Sequence, residues 1–149
     1  MDKQIRLALK QIISSLYPDA QVFAWNALSH DLGEWAGMFR SPAGITHGWI
    51  IKRSAERAEW KNGRRDRKTA VYDVWGFYGF TAGNEEENSD NDFALIVDAV
   101  YEAIKSAPAL DLAGVEGHGL LQLAAVTTID TGEETLHFAQ GRLEVQLCC

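Results

Sequence analysis

Between residues 2 and 16 the apolar positions Ile5, Ala8, Leu9, Ile12, Ile13 and Leu16 recur at spacings of three and four, while Lys3, Arg6, Lys10 and Gln11 fall mainly on the opposite side. This period is the stripe of an amphipathic helix. Pro18 closes it, because proline disfavours helical backbone at the residue before it. AQVFAW (20–25) predicts a short strand. Residues 26–43, NALSHDLGEWAGMFRSPA, keep no period and contain Gly33, Gly37 and Pro42, which predicts a long loop with one helical turn near 32–38. From residue 44 the period becomes two, with Ile45, His47, Trp49 and Ile51 on one face of a strand. Beyond Lys52 the chain turns hydrophilic as far as Asn62-Gly63, the dipeptide best suited to a type I′ hairpin turn with positive φ at both central residues. Strand resumes by Thr69. From Val71 to Phe80 both faces are apolar, with Tyr72, Val74, Tyr78 and Phe80 on one and Val71, Trp75 and Phe77 on the other, and only Asp73 interrupts them. A strand covered on both sides has this pattern.

TAGNEEENSDND (81–92) is a polar loop that ends in candidate caps, Ser89, Asp90 or Asn91, with acids suited to the positive end of a helix dipole. The stripe Phe93, Ile96, Val97, Val100 and Ile104 then predicts a second helix running to about Ser106. LLQLAAVTTID (120–130) and TLHFAQGRLEVQL (135–147) predict a hairpin turning at TGEE. In its returning strand the apolar phase slips from even positions (Leu136, Phe138) to odd ones (Leu143, Val145, Leu147), and Gly141 beside the slip suggests a β-bulge. The order helix, short strand, long hairpin, helix, hairpin predicts an α+β fold. It is an antiparallel or mixed β-sheet with a long protruding β-hairpin and two amphipathic helices packed on the faces of the sheet. The 149 residues are expected to form a single domain, with the hairpin arm at about 52–69.

Charge changes how this hairpin is read. The net charge of −7 divides unevenly. The span 52–68 holds eight basic residues (Lys52, Arg53, Arg57, Lys61, Arg64, Arg65, Arg67, Lys68) against three acids, or +5, and the remaining chain holds six basic residues against eighteen acids, or −12. A molecule so divided can attract its own copies head to tail. A long two-stranded ribbon is marginal by itself in water, so the arm is expected to lie across a neighbouring subunit, with Trp60 beside its cations. The alternative is a nucleic-acid-binding module using the basic hairpin 52–68, its cations on phosphates and Trp60 stacked on a base. The acidic remainder disfavours nucleic acid as a partner. Trp35, Met38 and Phe39 are too apolar for a solvated loop and are expected to pack on the domain or on a partner.

Catalytic signals are absent. The chain has no Walker loop, G-x-S-x-G or H-E-x-x-H motif. NEEENSDND lacks the fixed positions of a calcium loop. Asp73, among aromatics, is expected to be paired with an arginine or a backbone donor rather than to act as an acid or base, and His47 to be a strand histidine rather than a ligand. Cys148 and Cys149 are adjacent and read as free thiols, and the four histidines show no metal-ligand spacing. No enzyme, cofactor or metal is expected. The charged N-terminus does not read as a secretory signal and no run of apolar residues spans a membrane, so a cytosolic protein is expected.

The opening helix IRLALKQIISSLYPDAQVF, the charged hairpin leading into AVYDVWGFYGF, the segment DNDFALIVDAVYEAIKSAPAL, and the closing pair LLQLAAVTTID and LHFAQGRLEVQL together resemble the tail terminator, or tail-completion, proteins of long-tailed bacteriophages and prophages. The match is architectural and covers most of the chain. The 26–43 loop is longer than the family pattern. The resemblance implies a non-enzymatic virion assembly protein, present in the bacterial host cytoplasm during assembly and then in the virion tail. It implies a homo-hexameric ring, monomeric before assembly in some cases, with the tail tube protein and the head–tail connector as partners. Hairpin residues would then lie at the subunit interface or line the ring.

Overall fold

The computed structural model describes residues 1–25, 37–41, 46–61, 64–79, 86–130 and 135–147, with side chains throughout except at 59–61, 64–67 and 86–88. Its elements are α1 (Asp2–Leu16), β1 (Gln21–Phe23), β2 (His47–Lys61), β3 (Arg64–Gly79), α2 (Glu86–Lys105), β4 (Val115–His118), β5 (Gln122–Asp130) and β6 (Thr135–Leu147). One mixed sheet holds all six strands. β1 lies parallel to β2, and β2, β3 and β6 follow as antiparallel neighbours. The outer side of β6 is shared: β4 pairs with its last residues, Val145 to Leu147, and β5 with Thr135 to Arg142. The fold is therefore α+β, with a long β2–β3 hairpin and helices packed on the sheet.

Both helices cover the same face. Ile5, Leu9 and Ile13 of α1, and Phe93, Val97, Val100 and Ile104 of α2, pack on Trp49, Ile51, Tyr72, Val74, Leu143 and Val145. These are the positions the helical and strand periods place on one side. Asp2 fixes the start of α1. Its carboxylate accepts from Arg6 Nε at 3.1 Å and from Tyr72 Oη at 3.0 Å, while Arg6 Nη1 donates to the Ala24 carbonyl just past β1. The other face carries a second cluster, Phe39, Ile50, Phe77, Leu136 and Phe138. There Phe77 stacks between Phe39 (4.6 Å) and Phe138 (4.9 Å). β3 thus sits between β2 and β6 with both faces buried, as its doubly apolar pattern requires.

Four expectations change. β6 has no bulge against β3, since the register runs unbroken from Lys68↔Leu147 to Gly79↔Leu136. The phase slips because the two cores use different halves of the strand: Leu136 and Phe138 serve the aromatic face, and Leu143, Val145 and Leu147 the helix face. The irregularity lies on the neighbour, where β5 shifts register between Leu123 and Ala125 opposite Gly141. A Cβ at Gly141 would sit 2.6 Å from the Val74 carbonyl oxygen and 3.0 Å from Leu121, so the glycine answers a close approach. Second, α2 begins at Glu86 and not at the Ser89–Asn91 caps. Glutamate is a good helix former and favours the first turn of a helix dipole, which lets the helix start about a turn earlier. Third, β4 was not foreseen, and β5 starts at Gln122 rather than 120. Fourth, the helices share one face instead of flanking the sheet.

Candidate functional site

The β2–β3 hairpin has two parts. Pairing with β6 ends at Lys68, so only Glu59–Lys61 and Arg64–Arg67 form a ribbon of two strands, closed by the rung Lys61↔Arg64. At the strand rise this ribbon projects roughly 10–13 Å beyond the sheet. The rest of the basic span is built into the six-stranded body, where its cations have partners within the chain. Lys52 Nζ lies 3.9 Å from Asp73 and 5.7 Å from the centre of the Trp75 ring. Arg53 pairs with Glu56, Lys68 Nζ reaches Glu56 at 2.7 Å, and Arg57 Nη2 donates to Glu144 at 2.7 Å. Lys52, Arg57 and Lys68 therefore tie β2 to β3 and β6, and Arg53 is paired within β2, so the four do not form a free patch. The side chains of Trp60, Lys61, Arg64, Arg65 and Arg67 lie outside the described residues, as do Trp35, Cys148 and Cys149. Phe39, expected to pack on the domain or on a partner, is fully buried in its own chain, and Met38 packs beside it. An aromatic ring already stacked on Phe77 has no surface left for a partner.

Asp73 is 8% exposed on the aromatic face. Lys52 on one side and Arg142 Nε on the other, both at 3.9 Å, supply the cationic pairing its burial requires. With Trp75, Gln122, Gln140 and Arg142 it lines an open depression of about 280 Å³. His47 lies on the helix face, 6% exposed, with Tyr17, Trp49 and Tyr78 around it edge-on. The sheet thus separates Asp73 from His47, and the two do not form one site.

The environment of His47 fixes its state. Trp49 Nε1 donates to His47 Nε2 at 2.9 Å. Burial holds the imidazole neutral by lowering its pKa from 6.5 to about 4. An indole nitrogen only donates, so Nε2 accepts and Nδ1 carries the proton. Tyr17 and Tyr78 stay protonated, because burial pushes their hydroxyls up, helped at Tyr78 by the nearby Asp92 carboxylate. With Leu16, Asp19 and Ile96, the three ring side chains Tyr17, His47 and Tyr78 line a cavity of about 270 Å³ at the C-terminal end of α1.

One constellation has no signal in the sequence. Ser89 Oγ lies 2.9 Å from His137 Nε2, and His137 Nδ1 lies 3.8 Å from the Asp90 carboxylate. The residue types are those of a nucleophilic triad, but Ser89 is 0% exposed and the Phe93 ring stacks on His137 at 5.8 Å. A nucleophile needs access to a substrate carbonyl, which this burial denies. The cluster instead pins the first turns of α2 to β6. Among the described residues no group of three His, Cys, Asp or Glu side chains gathers to hold a metal ion, and no helix is long and apolar enough to cross a membrane.

The outer edge of β5 is open among the described residues. Its sequence, QLAAVTTID, carries no charge before Asp130; Leu123 and Val126 are 41% and 56% exposed along it, and Leu120 just before it is 52% exposed. Comparison with known proteins returns no matching family model and no matching curated protein. One solved structure, whose name carries no functional description, aligns with all of this chain over 96% of its own length, at a TM-score of 0.54 and 14% identity. At that identity the likeness extends to the fold alone.

Proposed function

We propose that this chain is a non-enzymatic assembly protein of the phage tail terminator type, which forms a homo-oligomeric ring on the end of a tail tube and presents a surface to the head connector. The observation that carries this is the hairpin: a ribbon rich in arginine projects from a body whose remaining charge is strongly acidic. Among the described residues its own sheet gives such a ribbon no third strand, and a two-stranded ribbon needs one or a partner surface to be stable. The edge of β5, open among the described residues and uncharged before Asp130, supports the same reading, since proteins that stay monomeric blunt such edges with charge, proline or a covering element. A subunit with two different contact surfaces assembles by heterologous, head-to-tail interfaces, the kind that close into rings. A nucleic-acid module is favoured less, because four of the eight cations it would use are engaged within the chain.

Light scattering on a sizing column, across protein concentration and at two salt levels, tests this. A discrete oligomer, dissociated by Arg64→Glu with Arg65→Glu, is expected. A monomer at every concentration, unchanged on adding tail tube protein, would sink the proposal.

A further inference from the structure

The cavity at the end of α1 is built and unused. His47 is more than nine-tenths buried, and its Nδ1–H has no partner among the described residues. No fully buried side-chain nitrogen or oxygen in the described residues lacks a partner. Nδ1 therefore reaches accessible surface, and the surface His47 lines is this cavity. The floor thus offers one donor. The hydroxyls of Tyr17 and Tyr78 in the walls make no hydrogen bond among the described residues. The rim is acidic: Asp19 is exposed there, Asp92 lies near enough to Tyr78 to raise its pKa, and the negative end of the α1 dipole closes the side. A ligand must bring a hydrogen-bond acceptor to the floor and positive charge to the rim. The volume, about 270 Å³, falls just under the roughly 300–1,000 Å³ of small-molecule sites, and suits a side chain with its turn.

The chain itself carries a segment of that description. Asn62 bears a carboxamide oxygen between Lys61 and Arg64-Arg65 in the two-residue connection of the arm. Lys61 lies fourteen residues beyond His47 along β2, roughly 45 Å at the strand rise. An arm cannot reach the cavity of its own chain, so any such contact joins two copies heterologously. We propose that this cavity receives the tip of the β2–β3 arm of a second copy, the Asn62 carboxamide accepting the His47 Nδ1–H while Lys61, Arg64 and Arg65 meet the acidic rim. The inference deepens the ring reading and rests on it for the partner being a second copy.

The receptor for the test is the full chain with Arg64→Glu and Arg65→Glu, whose own arm is disabled and whose cavity is intact. The probe is a cyclised peptide of residues 58–68, titrated while the imidazole signals of His47 are followed by NMR and heat is measured by calorimetry. Saturable one-to-one binding that moves the His47 Nδ1–H signal is expected, with at least a tenfold loss when the peptide carries Asn62→Ala or the receptor Asp19→Lys. Asp19 is exposed, so that receptor keeps its fold. His47 signals unmoved at millimolar peptide, or binding indifferent to both substitutions, would overturn the docking site. Wild-type chains that assemble while the peptide leaves His47 untouched would refute the site and spare the ring. A peptide that seats in the cavity of a chain that never assembles would uphold the contact and refute the ring.

Discussion

His47 offers a quantitative test of the packing beneath α1. Folded, it has a pKa of about 4, and its ordinary value is 6.5. The unfolded chain therefore binds a proton in the window between these values that the folded chain refuses, and stability must fall as pH falls through it. The contribution is complete above pH 6.5. With each pH unit of separation worth about 1.4 kcal/mol, the linkage removes about 2 kcal/mol by pH 5 and about 3 kcal/mol by pH 4. The perturbation is His47→Gln, which keeps an acceptor for Trp49 Nε1 but does not titrate. Urea unfolding of both proteins from pH 7.5 to 4, followed by tryptophan fluorescence, isolates the effect, because every other titrating group cancels in the difference. The stability of the wild type relative to the variant is expected to drop by about 3 kcal/mol across the range. Parallel curves would mean that His47 is solvated or held protonated in the folded protein, and the burial described for it would be wrong.

Other outcomes follow from the same geometry. Gly76→Ala places a methyl group 2.7–2.8 Å from the Trp49 ring and should cost roughly 1–3 kcal/mol as an overpacked core, measured as a lower urea midpoint with an unchanged slope. Phe39→Ala removes a fully buried ring stacked on Phe77 and should cost about 3–5 kcal/mol; a loss under 1 kcal/mol would show that the ring does not cover the sheet. A double-mutant cycle on the exposed pair Arg57 and Glu144 should give a coupling below about 1 kcal/mol that fades with salt. Val126→Lys on the open edge of β5 should change stability by no more than about 0.5 kcal/mol while slowing aggregation in a turbidity assay; faster aggregation would contradict an exposed edge.

The helices and the central strand were legible because their signals are local. Ile5, Leu9 and Ile13 recur at the helical period, and the two-sided run around Trp75 admits only a covered strand. What escaped depends on partners distant in sequence. Leu143 and Phe138 follow a regular alternation that passes from one core to the other, and no inspection of β6 alone separates that from a bulge. β4 is four residues with a glycine, too short for any period, and exists because Val145 to Leu147 leave an edge to pair with. Lys52 and Arg53 share a charge run with Arg64, yet the extent of β6 divides them into body and arm. The cavity was invisible for a related reason. Tyr17, His47 and Tyr78 come from three separate segments, and an unshared imidazole proton is a property of their meeting, not of any one of them.

The placement of β6 also governs how the chain acquires its structure. β6 is late in the sequence but central in the sheet, inserted between β3 and the β4–β5 edge. Its rungs to β3 close loops of 57 residues at Gly79↔Leu136 and 79 residues at Lys68↔Leu147. The β2–β3 hairpin is local and forms early, whereas the sheet it belongs to waits for contacts of high sequence separation, which are slow to close. During synthesis at about 5–20 residues per second, that hairpin spends several seconds or more with the flank reserved for β6 unpaired and Phe77 and Val74 exposed. A ribosome-bound chain ending before residue 135 is therefore the species most in need of a holding chaperone.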